Sequence, residues 1–422
     1  MSASAVWRPF TQHAVEPEPP MIVRSEGAWL HDASGRAILD AISSWWVTTH
    51  GHRQPRIMAA IREASETLDQ IIFAGLTHRP AEELARRLVE IAPKGLTRVF
   101  FSDSGSTAVE VALKMALGTF QNRGDLKRTR IAALEGGYHG DTIGTMSVGA
   151  RGVFNAPYAP LLFEVERIPF PEAGKEQATF DALERAGRDG TLAALVVEPL
   201  ILGAGGMLMY RPQVLAEMAR IARAAGALMI ADEVMTGWGR TGTMFACEQA
   251  GLVPDILCTS KGLTGGAIPL AATLASEEIF DAHLSQDRAK TFFHSSSFTA
   301  NPIACAAALA NVEVWRDEPV AERVAALAEA QKNRLSAYAD DPRFANARAS
   351  GTIAAVDLKV SDAGYLSDVG PRLRAHFLAQ GLLIRPLGET IYLMPPYCVT
   401  EAELDRLHGA ILEAPDALGI AR

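Results

Sequence analysis

The chain has 422 residues, 48% of them hydrophobic and 21% charged, enough for two packed cores and too apolar for a disordered chain. Its formal net charge of −9 excludes a generic nucleic-acid binder, which needs clustered Lys and Arg to meet phosphates. No apolar run approaches the roughly 20 residues that span a bilayer, and the start MSASAVWRPFTQ lacks the basic and apolar regions of a secretory signal. The four cysteines, Cys247, Cys258, Cys305 and Cys398, lie far apart without CxxC spacing. They predict neither disulfide nor metal site. The expectation is a cytoplasmic protein with no nucleic-acid or membrane partner.

Residues 1–20 read as a Pro-rich arm anchored by Trp7 and Phe10. The alternation in MIVRSEGAWLHDASGRAILD predicts short antiparallel strands over 22–40. A loop with two adjacent tryptophans, AISSWWVTTHGHRQP, follows. Helices are predicted over 55–69 and 80–92, and a strand over 98–102. This strand passes through DSGS into a helix with apolar residues at Val109, Leu113, Met115 and Ala116. Strand 130–134 leads to the loop EGGYHGDT. Strand 192–197 ends at Glu198-Pro199, and helix 212–225 precedes apolar runs at 227–231 and 255–259. Strands alternating with helices imply an α/β fold with a mostly parallel sheet and right-handed crossovers.

After Asn301-Pro302 an Ala-rich helix runs towards Trp315. The remainder reads as an α+β unit with strand 352–358, helix 368–380, strands 382–385 and 390–394, and a helix from Thr400. The expected division is an arm with short strands over 1–50 packing on the small domain, a large domain over 51–315 and the small domain over 316–422.

Two of the apolar runs lead into ionisable residues that a core would not choose. The first ends at Asp232 and Glu233, and the second leads into Lys261, between Ser260 and a Gly-rich turn. Open α/β sheets present chemistry at such strand tips. A desolvated Lys there suits Schiff-base chemistry, and an Asp on a neighbouring tip suits a pyridinium nitrogen. Asp103 to Thr107 lie between a strand and a helix, whose N-terminus favours a phosphate. Gly105 permits close backbone approach there, although Ser104 or Ser106 could serve simply as the helix cap. Tyr138 offers a stacking face. An anion cradle, a stacking ring, a carboxylate and an amine are together what pyridoxal phosphate requires. The GxGxxG match at Gly237, Gly239 and Gly242 is not a nucleotide signal. Asp232-Glu233-Val234 intervene after the strand, and Trp238 and Arg240 fill its turn.

The chain resembles the class-III, fold type I, pyridoxal-phosphate aminotransferases over nearly its whole length. The matching pieces are WRPFTQ, SSWW with HGH, DSGSTAVEVALKMA, GYHGDTIGTMSVG, GAGGM, ADEV with TG and GRTG, SKGLTGG, HSSSF with NP, and IRPLG with IYLMPPY. SSWW, GYHGDT and IYLMPPY narrow the resemblance to the branch that acts in biotin synthesis. It implies a large domain with a mostly parallel sheet plus a smaller α+β domain.

The resemblance also implies roles. Lys261 would hold the cofactor as a Schiff base, and Asp232 would pair with the ring nitrogen, with Tyr138 completing the catalytic set. Tyr138 and Val234 would sandwich the ring, Gly105 and Ser106 would bind its phosphate, and His139, Glu198 and Ser296 would complete the cofactor shell. Ser297, where the family has Thr, would reach the phosphate of a neighbouring subunit, which implies a homodimer with shared sites. Phe10, Trp45, Tyr138, Lys261, Ser295, Arg385 and Tyr392 would meet substrate, Arg385 by gripping a carboxylate. The implied reaction is ping-pong amino transfer from adenosylmethionine to 8-amino-7-oxononanoate. Phe10 replaces a frequent Tyr, as in relatives that use lysine as donor, so lysine is the alternative donor. Amino transfer from ornithine, 4-aminobutyrate or a β-amino acid is the alternative reaction. Ala300 stands where the family has Gly. Outside this chemistry, the alternatives are a nicotinamide oxidoreductase using the Gly237 loop and a non-catalytic binding module.

Overall fold

A computed structural model describes residues 4–361 and 363–420. Residues 1–3 of the predicted arm, Asp362, and residues 421–422 at the end of the predicted small domain lie outside the described residues. In chain order the strands are β1 (Ile22–Glu26), β2 (Trp29–Asp32), β3 (Ala37–Asp40), β4 (Leu96–Ser102), β5 (Arg130–Leu134), β6 (Glu166–Ile168), β7 (Leu192–Val197), β8 (Ile201–Leu202), β9 (Leu208–Met209), β10 (Leu228–Asp232), β11 (Ile256–Thr259), β12 (Ala271–Ser276), β13 (Phe344–Ser350), β14 (Ile353–Leu358), β15 (Leu382–Leu383) and β16 (Thr390–Leu393).

The central sheet has the order β4-β12-β11-β10-β7-β5-β6. Its neighbours pair in parallel, except that β12 runs antiparallel to both β11 and β4. Strands buried on both faces read as continuous apolar runs, and LAALVV of β7 is buried throughout. Alternate residues serve opposite layers. Leu195 and Val197 join the core under helices Pro212–Ala224 and Pro302–Asp317, while Ala194 and Val196 pack with helix Gly105–Arg123. A further core gathers Leu39 and Ala41 with Val356, Leu358, Ile391, Leu393 and Leu407. There β15 pairs in parallel with β3, so N-terminal and C-terminal strands share one sheet, and β13-β14-β16 form another.

The structure departs from the sequence reading in several places, among them the strand predicted over 382–385, which ends at Leu383, and the unpredicted helix Glu176–Gly187 and strand β13. The helix predicted over 55–69 ends at Ser65. Beyond it Asp69 and Gln70 are drawn to the 291–301 loop, where Asn301 Nδ2 donates to Asp69 O (2.9 Å) and Gln70 Nε2 to Ser297 O (2.8 Å). The Ala-rich segment of β12 is a central strand despite weak strand propensity, because β4 and β11 pair with it on both sides. The tryptophan loop is a left-handed turn, with φ of 51°, 45°, 75° and 75° at Ser43, Ser44, Trp45 and Trp46. Each non-glycine residue in that region costs about 1–2 kcal/mol, so the turn must be held from outside.

The C-terminal sheet docks on the central one through the β13–β14 hairpin. Gly351 in that hairpin has φ 54°, and a Cβ on it would lie 2.5 Å from Arg240 O and 2.2 Å from Thr241 C. Thr352 N donates to Arg240 O at 2.9 Å beside it. Both the backbone angle and the space therefore demand glycine. Gly351→Ala is expected to lower the unfolding free energy by about 3 kcal/mol in a denaturant titration, from the left-handed and overpacking costs combined. A loss under about 0.5 kcal/mol would contradict this contact.

Candidate active site

The carboxyl ends of the parallel strands converge on one cavity, the expected place for a site in an open α/β sheet. Asp232 is the last residue of β10, and Glu198 is the first residue after β7. Tyr138, His139 and Gly140 come from the loop after β5, Gly105 and Ser106 open the helix after β4, and Lys261 opens the turn Lys261–Thr264 after β11. These residues line the cavity with Val234, Met235 and Trp46. The sequence reading found most of this wall but missed Trp46, Gly140 and Met235. The adjacency of two tryptophans was the one available signal for Trp46.

Asp232 and His139 are both 4% exposed, and His139 Nδ1 meets Asp232 Oδ2 at 2.7 Å. Burial opposes the imidazolium, but the hydrogen bond and the charge of Asp232 outweigh it and raise the pKa of His139. Val234 N donates to the other oxygen, Asp232 Oδ1, at 3.1 Å. Glu198 accepts from Tyr138 N and Gly203 N, each at 2.9 Å. Burial pushes its carboxyl up to about 7, against the pull of His139.

Lys261 has a left-handed φ of 40°, the kind of strain that collects at functional positions. Desolvation lowers its pKa, with Arg240 adding to the shift and Asp232 and Glu198 opposing it. Its Nζ lies 4.9 Å from the centre of the Trp46 ring and has no hydrogen-bond or ion-pair partner among the described residues.

Ser104 caps the helix through a capping box, donating from its N to Thr107 Oγ1 (2.9 Å) and accepting from Thr107 N at Oγ (3.2 Å). Cap and cradle are thus different residues, and the N–H groups of Gly105 and Ser106 face the cavity without intrahelical acceptors. The space is tight. A Cβ on Gly105 would lie 2.5 Å from Val234 Cγ1, and one on Gly140 would lie 2.1 Å from Ser106 Oγ. Glu110, one helical turn on, accepts from Gly144 N (2.7 Å) and Thr145 N (3.2 Å), tying the Tyr138 loop to the same helix.

Phe10, Trp45, Arg385 and Tyr392 are not on this cavity wall; outside it Arg385 Cζ lies 5.1 Å from the Trp45 ring centre, and Phe10 packs edge-on against Trp45 at 5.4 Å. Tyr392 is buried, and its hydroxyl accepts from Trp46 Nε1 at 2.9 Å. Ser295, Ser296 and Ser297 are not on this cavity wall. They sit on the 291–301 loop, where Ser296 N donates to Thr299 Oγ1 at 2.9 Å, and Ser297 is exposed. Nearby Ala300 is left-handed, with φ 54°, which is a physical reason for glycine at that position. In the Gly237 loop Trp238 is 1% exposed and packs on Phe245, so this loop is core.

The family model for class-III aminotransferases matches residues 10–414. The chain belongs to that family. It is a pyridoxal-phosphate-dependent aminotransferase of fold type I. It is 50% identical over 421 residues to the adenosylmethionine-8-amino-7-oxononanoate aminotransferase of Synechococcus elongatus, covering 98% of this chain and 99% of that one. The crystal structure of the enzyme of the same name from Methanocaldococcus jannaschii superposes with a TM-score of 0.93 at 34% identity, covering 98% and 97% of the two chains. The omega transaminase of Pseudomonas jessenii, solved with PMP, also gives 0.93, at 26% identity over 99% and 98%.

The cavity of this class-III aminotransferase fits the cofactor. It offers a cradle that a Cβ would fill, a carboxylate fixed by a buried His, and a desolvated amine. Gly105→Ala is expected to weaken pyridoxal phosphate binding by about tenfold, or 1.4 kcal/mol, in an equilibrium titration of the apoprotein. Adding Val234→Ala should restore part of the loss, since Val234 is the atom the new methyl meets. An unchanged dissociation constant for Gly105→Ala would contradict the cradle.

Proposed function

We propose that this chain transfers an amino group from S-adenosylmethionine to 8-amino-7-oxononanoate, giving 7,8-diaminononanoate, a step of biotin synthesis. The observation that carries this reading is the 50% identity, over 98% of the chain, to the S. elongatus protein of that name. Donor and acceptor use one cavity in turn, the basis of ping-pong kinetics. The same reading makes the protein cytoplasmic.

Pyridoxal phosphate, when bound, supplies an aldehyde for the amino group and a pyridinium ring that draws electrons from the substrate Cα–H bond. The N–H groups of Gly105 and Ser106, at a helix N-terminus, bind the phosphate. Asp232, oriented by His139 at 2.7 Å, favours a proton on the ring nitrogen through its opposite charge. Tyr138 and Val234 would flank the ring, and Glu198 fixes the Tyr138 backbone.

Lys261 Nζ, shifted towards its neutral form by desolvation, takes the proton from the substrate Cα. It would return that proton to the carbon that the cofactor's aldehyde supplies, on the other side of the amino nitrogen, as base and then acid. Arg385 grips a substrate carboxylate with its fork of donors, while Phe10, Trp45, Ser295 and Tyr392 shape the space around it.

Ser297 lies exposed and away from its own chain's cavity. This supports a homodimer in which Ser297 reaches the neighbour's phosphate. A second reading, amino transfer from an ω-amino acid such as ornithine, 4-aminobutyrate or a β-amino acid, draws on the likeness to the P. jessenii omega transaminase. Lysine as donor to 8-amino-7-oxononanoate draws on Phe10, which brings no hydroxyl.

The test offers 8-amino-7-oxononanoate to the holoenzyme with adenosylmethionine, lysine, ornithine or 4-aminobutyrate in turn, and follows product by mass spectrometry. Product with adenosylmethionine is expected. Product with lysine alone would move the donor, and none with any donor would remove the acceptor.

A further inference from the structure

Trp45 and Trp46 are adjacent in sequence, yet Trp46 lines the cavity and Trp45 lies outside its wall. Trp46 is 5% exposed, lies 4.9 Å from Lys261 Nζ and donates to Tyr392 OH at 2.9 Å. Trp45 is 40% exposed and meets Arg385 and Phe10. Two neighbouring side chains reach these places because the backbone beneath them is left-handed, with φ of 45° at Ser44 and 75° at both tryptophans. A right-handed turn would carry both rings elsewhere, and it is what these residues prefer on their own. Such strain persists only where the surroundings over-determine it.

The restraint comes mainly from one side chain. Asp40, the last residue of β3, is 0% exposed. Its Oδ1 accepts from Ile42 N (3.2 Å) and Ser44 N (3.0 Å), and its Oδ2 accepts from Ser44 Oγ (2.9 Å) and His52 Nε2 (2.8 Å). All four donors lie in or just beyond the turn. At the other end Arg240, 1% exposed, donates from Nη2 to Trp46 O (3.4 Å) and Thr48 O (3.1 Å) and from Nη1 to Pro395 O (3.0 Å). No carboxylate bonds Arg240 among the described residues, so this buried cation is met by carbonyl oxygens and by the Tyr397 ring, 5.0 Å from its Cζ. Within the turn Trp46 N donates to Ile42 O (2.8 Å) and Val47 N to Ser43 O (2.9 Å).

We propose that Asp40 is a positioning residue of the amino-transfer reaction: by holding the left-handed turn at its entry it places Trp45 beside Arg385 and Trp46 beside Lys261. It touches neither substrate nor cofactor. The inference rests on the reading of Trp45 and Arg385 as the substrate end of the site. Its consequence is selective. Loosening the turn should spoil the outer, half-exposed end first, because Trp46 keeps its bond to Tyr392 and its carbonyl on Arg240. Substrate capture is lost more than turnover.

The test compares holoenzyme carrying Asp40→Asn and Asp40→Ala, with Trp45→Ala alone and in combination, on whichever keto acceptor the native enzyme turns over. Asp40→Asn is nearly isosteric and keeps the Oδ1 acceptor, so it serves where Asp40→Ala fails to fold. The expected result is a rise of about tenfold in KM for the acceptor with Asp40→Ala and a smaller rise with Asn, kcat staying within about threefold. Because Asp40 acts through Trp45, the double variant should be no worse than Trp45→Ala by more than about twofold. In the apoprotein, hydrogen exchange at the Trp46 and Val47 amides should quicken about tenfold in Asp40→Asn, with exchange in β10 unchanged. Native KM in both Asp40 variants, effects that add to those of Trp45→Ala, or native exchange at Trp46 and Val47 would each overturn the proposal. Failure of the native enzyme on 8-amino-7-oxononanoate would remove only the acceptor assignment, since the exchange arm needs no substrate.

Discussion

The site depends on a carboxylate held almost wholly out of water at the end of a buried strand. Asp232 is tolerable there because His139 meets one oxygen at 2.7 Å and Val234 N meets the other at 3.1 Å. A buried charge without such partners would cost several kcal/mol. The pair also fixes geometry. His139 belongs to the loop after β5 and Asp232 to β10, so their bond ties two strand tips across β7. The face of Asp232 that looks into the cavity is left for a ligand that can meet a carboxylate with a positive nitrogen.

The other parts follow from the same architecture. A sheet covered on both faces leaves its strands no place for ionisable groups except at their ends, and Glu198, Asp232 and Lys261 occupy three adjacent ends. Crowding them into one desolvated space separates their properties. Burial raises the Glu198 carboxyl to about 7 and lowers the pKa of Lys261. A lysine biased towards its neutral form beside a fixed carboxylate is the combination that amine chemistry at neutral pH requires.

The strand tips were legible in the sequence because their signal is local. An apolar run that stops at Asp232, or leads into Lys261, needs no partner to be noticed. Gly105 and Ser106 read as a cradle in the sequence, whereas the choice of capping serine depends on the reciprocal bonds between Ser104 and Thr107. What could not be read was set by distant pairing. β12 is a strand because of the neighbours on its two sides. The helix after Pro55 stops at Ser65, and Asn301 and Ser297 engage residues 69 and 70 beyond it. Asp40, Arg240 and Glu110 look like ordinary charged residues in the chain and acquire roles only through backbone groups brought to them by folding. Residues that line the cavity were largely legible, and those that hold their backbones in place were not.

The most direct test of this account is the rate of the donor half-reaction in Asp232→Asn, measured in single turnover with the cofactor's attachment to Lys261 checked by its visible absorbance. The amide keeps the size of the side chain and one acceptor but removes the charge. If Asp232 and His139 form the electrostatic anchor of the site, that rate falls by about 10²–10³-fold, the usual cost of removing one preorganised charge contact, while the cofactor stays bound. A rate within threefold of native would contradict the central role given to this pair.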